Sequence, residues 1–384
     1  MNVPKLRFKE FNDDWIEEKI NELVELNPKN PNLPENFIYI DLESVSNGIL
    51  LQEKILTKDD APSRAQRQVK VNDILYQTVR PYQKNNLFID KLSHLPYIAS
   101  TGYAILREKN IYQKFLFNKL HTDSFVNEVL DNCTGTSYPA INSNDLGNIK
   151  IFCPNNFKEQ KRIGDFLSLI DKKIELQTKK IEDLKLFKKG VIDYISKKIE
   201  TEKIPLKNIL VEQNYKTTKN NEYEILSSTA KGIYLQKDYF NKQAASDNNI
   251  GYKILKKNQL VLSPQNLWMG NININKEYNI GIVSPSYKVF NINDNIDINF
   301  FNYWIKSAKA LYEYKISSEQ GASIVRRNLN MDLFYEIVAD IPKGKWQNEI
   351  GKIIKLLDLK VQYNESSLQK LLDLKKGLMQ NMFV

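Results

Sequence analysis

The chain has 384 residues, of which 42 % are hydrophobic and 26 % charged, with a formal net charge of +9; that length has room for two or three domains with cores of their own. No apolar run approaches the length of a membrane span, and the N-terminal residues carry no signal-peptide pattern. Two isolated cysteines, Cys133 and Cys153, with no pairing motif around them, point to a reducing cytoplasm.

In chain order, a first unit opens with an amphipathic stretch over residues 15–26, closed by Asn27 and Pro28. Patterning predicts strands over 37–42, 48–55, 73–79, 87–89 and 97–106. A helix is expected over 111–130, then a turn at Gly135-Thr-Ser-Tyr-Pro and a strand over 148–152. Pro154-Asn-Asn then breaks the chain ahead of a long helix. A second unit repeats the order. Residues 205–211 open it, with strands around 223–226, 232–235, 259–262, 280–283 and 287–291 and a helix over 299–317. The turn Gln320-Gly-Ala-Ser, the pair Arg326 and Arg327, and a strand over 336–341 lead to Pro342 and a second long helix. The fold class is α+β, twice, each globe followed by a helical arm.

The two arms are near copies. Gln160, Ile163, Gly164, Leu169, Asp171 and Lys173 recur as Gln347, Ile350, Gly351, Leu356, Asp358 and Lys360, at one offset of 187 (347 − 160). The same offset relates Leu184, Lys188, Lys189 and Gly190 to Leu371, Lys375, Lys376 and Gly377. An ungapped register of that length marks a tandem duplication. Between the arms the likeness is fainter: residues 44–52 echo 228–236 at offset 184, and 132–137 echo 319–323. The resulting division is 1–155 and 201–342 for two globes, and 156–200 and 343–384 for two long helices related by a pseudo-twofold axis.

Within the arms, Ile163, Ile170 and Leu184 recur at seven-residue multiples, with Ile174 in the complementary position; Ile350, Leu357, Leu371 and Val361 do the same in the second arm. This heptad pattern predicts an antiparallel coiled-coil seam. Gln177 and Asn364 interrupt it at matching positions, and a polar seam residue fixes register at a cost in stability. In an antiparallel pair the helix middles cross, so these two are expected to lie near each other.

The charge excess sits mainly on the arms. Residues 1–155 carry 18 basic and 20 acidic side chains, while 156–200 carry 12 and 8. Arginine is more telling than net charge. Only eight of the 55 basic residues are Arg, yet Arg64, Arg67 and Arg80 fall close together and Arg326 and Arg327 are adjacent. Arg makes bidentate contacts to guanine edges and phosphates that Lys cannot copy.

Catalytic patterns are missing. The two histidines, His94 and His121, have no partner spacing, and the four His and Cys residues are scattered over sixty positions, too dispersed for a metal site. No phosphate-cradling Gly-x-x-x-x-Gly-Lys-Ser/Thr is present, no dinucleotide fingerprint follows a strand, and Asn27-Pro28 runs on into Lys29 rather than into an amino-methylating signature. Two folded globes without a catalytic kit favour binding over chemistry.

Two variable globes alternating with two near-identical helices resemble the specificity subunit of Type I restriction–modification enzymes. Individual phrases are similar too. Pro154 leading to Glu159-Gln-Lys-Arg-Ile-Gly164 resembles the family's approach to its central helix, with a second copy from Pro342 to Gly351. Ser63-Arg-Ala65 followed by Val71-Asn-Asp-Ile-Leu75 resembles the family's Arg-containing turn and Gly-Asp-Ile-Leu, with Asn72 in place of the glycine. In the second unit the phrase becomes Lys257-Asn-Gln-Leu-Val261.

The resemblance implies a subunit that is not itself an enzyme. Each globe reads half of a split, asymmetric double-stranded DNA target, and the helices set the spacer. It also implies two modification subunits bringing S-adenosylmethionine, and two restriction subunits bringing ATP and Mg. No cofactor or metal is expected on this chain. For the first half-site the candidates are Arg64, Arg67, Gln68, Arg80, Gln83 and Lys84, on polar turns flanking the strand at 73–79, with Ser137 and Tyr138 behind them. For the second they are Lys231, Gln265, Asn266, Trp268, Asn271, Ser323, Arg326 and Arg327. Three alternatives stay open: the specificity subunit of a related bifunctional restriction enzyme, a cytoplasmic coiled-coil scaffold that binds protein, and a cryptic nuclease or transferase.

Overall fold

The computed structural model describes residues 3–29, 32–46, 48–135, 137–239, 248–320 and 327–384. It divides into two compact units: residues 1–179 with 366–384, and residues 180–365. Each unit therefore holds one globe together with part of each long helix.

In unit 1, strand Trp15–Lys19 pairs antiparallel with Lys150–Pro154. One four-stranded sheet runs in the order Val24–Leu26, Tyr103–Glu108, Ile74–Gln77 and Leu87–Phe88; a second runs Lys54–Thr57, Asn36–Ile40, Tyr97–Ser100 and Ala65–Gln68. Helices Gln113–Lys119 and Asp123–Asp131 share a core with the first sheet, in which Trp15, Tyr76, Phe115, Phe125 and Leu167 are buried alongside Met382 and Phe383.

Unit 2 repeats this plan. Thr201–Pro205 pairs with Val338–Pro342. A four-stranded sheet runs Leu210–Gln213, Lys288–Ile292, Leu260–Leu262 and Ile272–Ile274. Lys253–Lys256 pairs with Ile280–Val283, as Ala65–Gln68 pairs with Tyr97–Ser100 in unit 1. Helices Ile298–Trp304 and Ala308–Ile316 close the core around Phe290, Phe301, Trp304, Phe334 and Ile350.

The repeated motif of the arms has a structural task. Gln160 Oε1 accepts from the Tyr112 backbone N–H at 2.8 Å, and its Nε2 donates to the Pro154 carbonyl. Gln347 does the same for the Asp297 N–H and the Asn295 carbonyl. Each glutamine thus satisfies an otherwise orphaned donor at the start of the globe's first core helix. Four residues on, a glycine lets the arm close in. A Cβ on Gly164 would sit 2.7 Å from the Phe115 nitrogen, and one on Gly351 would strike the Asp297 carboxylate.

The long helices are Phe157–Lys198 and Trp346–Asn381, of 42 and 36 residues. They run antiparallel within each unit. In unit 1, Lys375 pairs with Asp171; in unit 2, Lys188 pairs with Asp358 and Lys185 with Glu365. Asp171 and Asp358 are repeat partners, as are Lys188 and Lys375, so one ion pair occurs twice with its donors and acceptors exchanged between helices. Ile163, Ile170 and Ile350 are buried; Ile174, Leu184, Leu357, Val361 and Leu371 are half-buried. Asn364 is buried and donates to the Lys360 carbonyl, while Gln177 is half-buried.

Several expected elements are divided. The helix over 111–130 is two, because Thr122 caps a new start by accepting from the Phe125 N–H. The helix over 299–317 breaks at Ser307, which accepts from Ala310. The strand over 97–106 turns at Thr101 and Gly102 and changes sheet. The 15–26 stretch is a strand, one helical turn and a second strand. Strands Ala65–Gln68 and Ile272–Ile274, absent from the expected set, are short and exist through their sheet partners.

Candidate nucleic-acid interface

In both units the third strand of the first sheet is preceded by an asparagine in the left-handed region, Asn72 at φ 70° and Asn258 at φ 67°. Asn tolerates that conformation where other side-chain-bearing residues clash, so the tight turn is made without the family's glycine. Asp73, 1 % exposed, locks the first copy by accepting from Lys70 N–H and from the Arg107 guanidinium at 2.9 and 2.7 Å.

The strand then runs out into a polar turn. In unit 1, Arg80 is left-handed (φ 54°), its N–H donates to Pro139 O at 2.7 Å, and a 3-10 turn Pro81–Gln83 follows. The guanidinium carbon lies 4.2 Å from the centroid of the Tyr138 ring, which is 64 % exposed. Tyr138 and exposed Ser137 are carried by a loop pinned where Thr134 and Ala140 exchange backbone hydrogen bonds. Gln83 is exposed and accepts from Gln77 Nε2. The turn Thr101–Gly102 bonds to Arg64 O on one side and Thr78 on the other, bringing exposed Arg64 to the same end of the unit.

In unit 2 the matching 3-10 turn is Leu267–Met269, at offset 186 from Pro81–Gln83. Here the turn supplies the aromatic ring, half-buried Trp268, and the arginine comes from the hairpin Ser318–Gln320 with Arg327–Leu329. Arg327 places its guanidinium carbon 5.8 Å from the Trp268 ring centroid, and its N–H donates to Gln265 O. Both units thus build an arginine–aromatic pair at the same place, with the two elements exchanging which partner each provides. Cation–π contact holds the guanidinium plane against the ring while leaving its donors unused.

These arginines share a further property. Among the described residues, Arg80 Nε, Arg327 Nε and Arg67 Nη1 are each buried with no hydrogen-bond partner. Arg7 and Arg107, by contrast, are held by Glu159 and Asp73. Burial lowers the pKa of Arg67, with no carboxylate to offset it. Buried, unsatisfied guanidinium donors cost stability, and arginine is the side chain best fitted to phosphate and guanine edges.

Other candidates are placed differently. Arg67 and Gln68 lie on an edge strand, not a turn. Lys84 is engaged by Asp123 at 2.7 Å and by His121 O. Asn271 is 6 % exposed and exchanges hydrogen bonds with Ser228. Lys231 and Gln265 are exposed and Asn266 half-buried. Ser323 and Arg326 lie outside the described residues. Sequence reading passed over Lys306, which reaches both unit 2 turns; its position inside an apparently continuous helix gave no signal.

Residues 12–186 match the family model described as the Type I restriction modification DNA specificity domain. That stretch, just under half of the chain, is similar to Type I specificity domains. It is 28 % identical over 170 residues to the Type I restriction enzyme HindI specificity subunit of Haemophilus influenzae, a match covering 41 % of this chain and 36 % of that one. It is 28 % identical over 211 residues to the MjaVIII specificity subunit of Methanocaldococcus jannaschii, covering 52 % and 48 %. The chain thus matches between about a third and a half of the length of these relatives. At the level of fold the likeness extends over the length of the chain. The crystal structure of the Type I restriction–modification S subunit from M. genitalium superposes with a TM-score of 0.62 at 17 % identity, over 100 % of this chain and 99 % of that one. A chain from a structure describing complex assembly and conformational transition of the Type I system gives 0.54 at 15 %, over 96 % and 97 %.

The arms carry a second surface. Phe166, Leu169, Leu176 and Leu374 are exposed in unit 1; their repeat partners Ile353, Leu356, Tyr363 and Phe187 are exposed in unit 2. Leu169 and Leu356 have nearly the same exposure, 68 and 67 %. No helix among the described residues is long and apolar enough to cross a membrane.

Proposed function

We propose that this chain is the non-catalytic, sequence-reading subunit of a cytoplasmic Type I restriction–modification complex. Each unit reads one half of an asymmetric bipartite target in double-stranded DNA, and the two arms set the spacer. The observation that carries this reading is the arginine–aromatic pair with a buried, unsatisfied guanidinium nitrogen in both units. Reading a base edge needs a few well-held donors, and Arg is suited to guanine and phosphate alike.

The duplicated exposed apolar sets on the arms support docking of two copies of one partner. Exposed apolar patches mark partner surfaces, and a duplicated patch takes the same partner twice. Those partners are two modification subunits bearing S-adenosylmethionine, and the complex is completed by two restriction subunits that use ATP and Mg.

Methylome sequencing of a methylation-free host tests this. The chain with its modification subunit should produce a new motif of two short blocks around a fixed unspecific gap, absent with the modification subunit alone. A confirmed complex that produces no such motif would refute the reading.

A further inference from the structure

Lys306 follows helix Ile298–Trp304 and is half-buried. Its ammonium donates to Gly270 O at 2.7 Å and to Ala230 O at 3.2 Å. Those carbonyls belong to the two turns that carry Trp268 and Lys231. Among the described residues no carboxylate pairs with it, and burial lowers its pKa to about 8. Burying an ammonium against carbonyl dipoles costs stability that an aliphatic side chain would not, so its placement calls for a role other than packing.

Beneath it the same two turns are clasped by a buried polar network. Ser228 Oγ donates to Asn271 Oδ1, Asn271 Nδ2 donates to Ser228 O, and Asn273 Nδ2 donates to Ser228 Oγ and Thr229 O. Gly270 is left-handed at φ 84°, and a Cβ there would meet Leu311 at 3.2 Å. The turn is therefore held from below, from behind and, by Lys306, from the side. Unit 1 places His121 at the same position, 185 residues earlier: its carbonyl accepts from Lys84 and its ring meets Asn86, both in the segment that follows Pro81–Gln83. One residue after the first core helix braces the polar turn in each copy.

We infer that Lys306 is a positioning residue for the second half-site, fixing the Ala230 and Gly270 turns relative to each other so that Lys231, Gln265 and Trp268 meet the DNA in one geometry. It rests on the DNA-reading function proposed above. Its ammonium is spent on the two carbonyls and does not touch phosphate.

The test uses the full chain in complex with its modification subunits. Lys306→Met removes the donors; Lys306→Gln keeps a donor but is one bond too short to span both carbonyls. Thermal unfolding and co-purification establish that each variant is folded. In either folded variant, discrimination at one or more positions of one block should fall about tenfold, the order of a lost base contact. The other block should be unchanged. The slope of log affinity against log salt should also be unchanged, whereas a lost phosphate contact would reduce it by about one. Arg80→Ala and Arg327→Ala assign the blocks to the units. If neither alters a block, the DNA-reading function fails. If they do, and a folded Lys306 variant keeps both blocks intact or loses salt slope, the Lys306 inference fails.

Discussion

At the scale of single residues, the chemistry turns on what each basic group is given as a partner. Arg7 and Arg107 have carboxylates and serve the fold. Arg80 and Arg327 have aromatic rings and spare donors. Arg80→Ala should therefore weaken DNA binding by roughly 1–3 kcal/mol and relax one block, and Arg327→Ala should do so for the other. Competition binding with singly substituted targets measures both. His121 is the opposite case, half-buried with its pKa lowered to about 4, chiefly by desolvation. Its Nδ1 faces the Phe117 carbonyl, so that nitrogen carries the proton, and Nε2 accepts from Asn86. Protonation would put a donor against the Asn86 amide. Between pH 6.5 and about 4 the unfolded chain binds a proton that the folded chain refuses, so stability falls as pH drops through that window. In thermal unfolding against pH, His121→Gln should show a shallower loss over the same range. Arginine clustering was legible in the sequence; which arginines were left unpaired was not, because that depends on where Glu159 and Asp73 arrive.

At the scale of elements, the arms show which repeated residues matter and why. Four glycines recur in the duplicated register, but only two are crowded. A Cβ at Gly164 or Gly351 meets atoms under 3.0 Å away, while Gly190 and Gly377 have nothing within 4 Å. Gly164→Ala should destabilise unit 1 by about 1–3 kcal/mol through forced backbone shifts. Gly190→Ala should be neutral or stabilise by up to about 1 kcal/mol, since Ala is the better helix former. Denaturant midpoints of the two variants separate these outcomes. The long helices were readable because heptad spacing is local information. The short core helices were not: Thr122 and Ser307 are caps by virtue of one hydrogen bond each, and a capping residue inside an apolar pattern looks like any other polar position. Strand Ala65–Gln68 escaped for a related reason, since its identity comes from its neighbour Tyr97–Ser100.

At the scale of the molecule, duplication makes a quantitative statement about assembly. The exposed sets Phe166, Leu169, Leu176, Leu374 and Ile353, Leu356, Tyr363, Phe187 present two equivalent apolar surfaces. Leu169→Asp should abolish one modification-subunit contact and Leu356→Asp the other. Each single variant should then purify with one partner copy and the double variant with none, by native mass spectrometry. Loss of both copies from one substitution would contradict two independent docking surfaces.

The sequence by itself determined the duplication, the α+β class, the two arms and the glutamine–glycine motif that seats each arm on its globe. All of these rest on periodicity or on a register preserved along the chain. Only the tertiary structure decided which arginine meets which ring. Arg80 meets Tyr138 across 58 residues of chain, and Trp268 meets Arg327 across 59. In one unit the ring comes from the late loop and in the other from the early turn, so no repeat alignment could have paired them. Contact through space is set by how sheets and hairpins fold back on one another, and sequence separation carries no record of it.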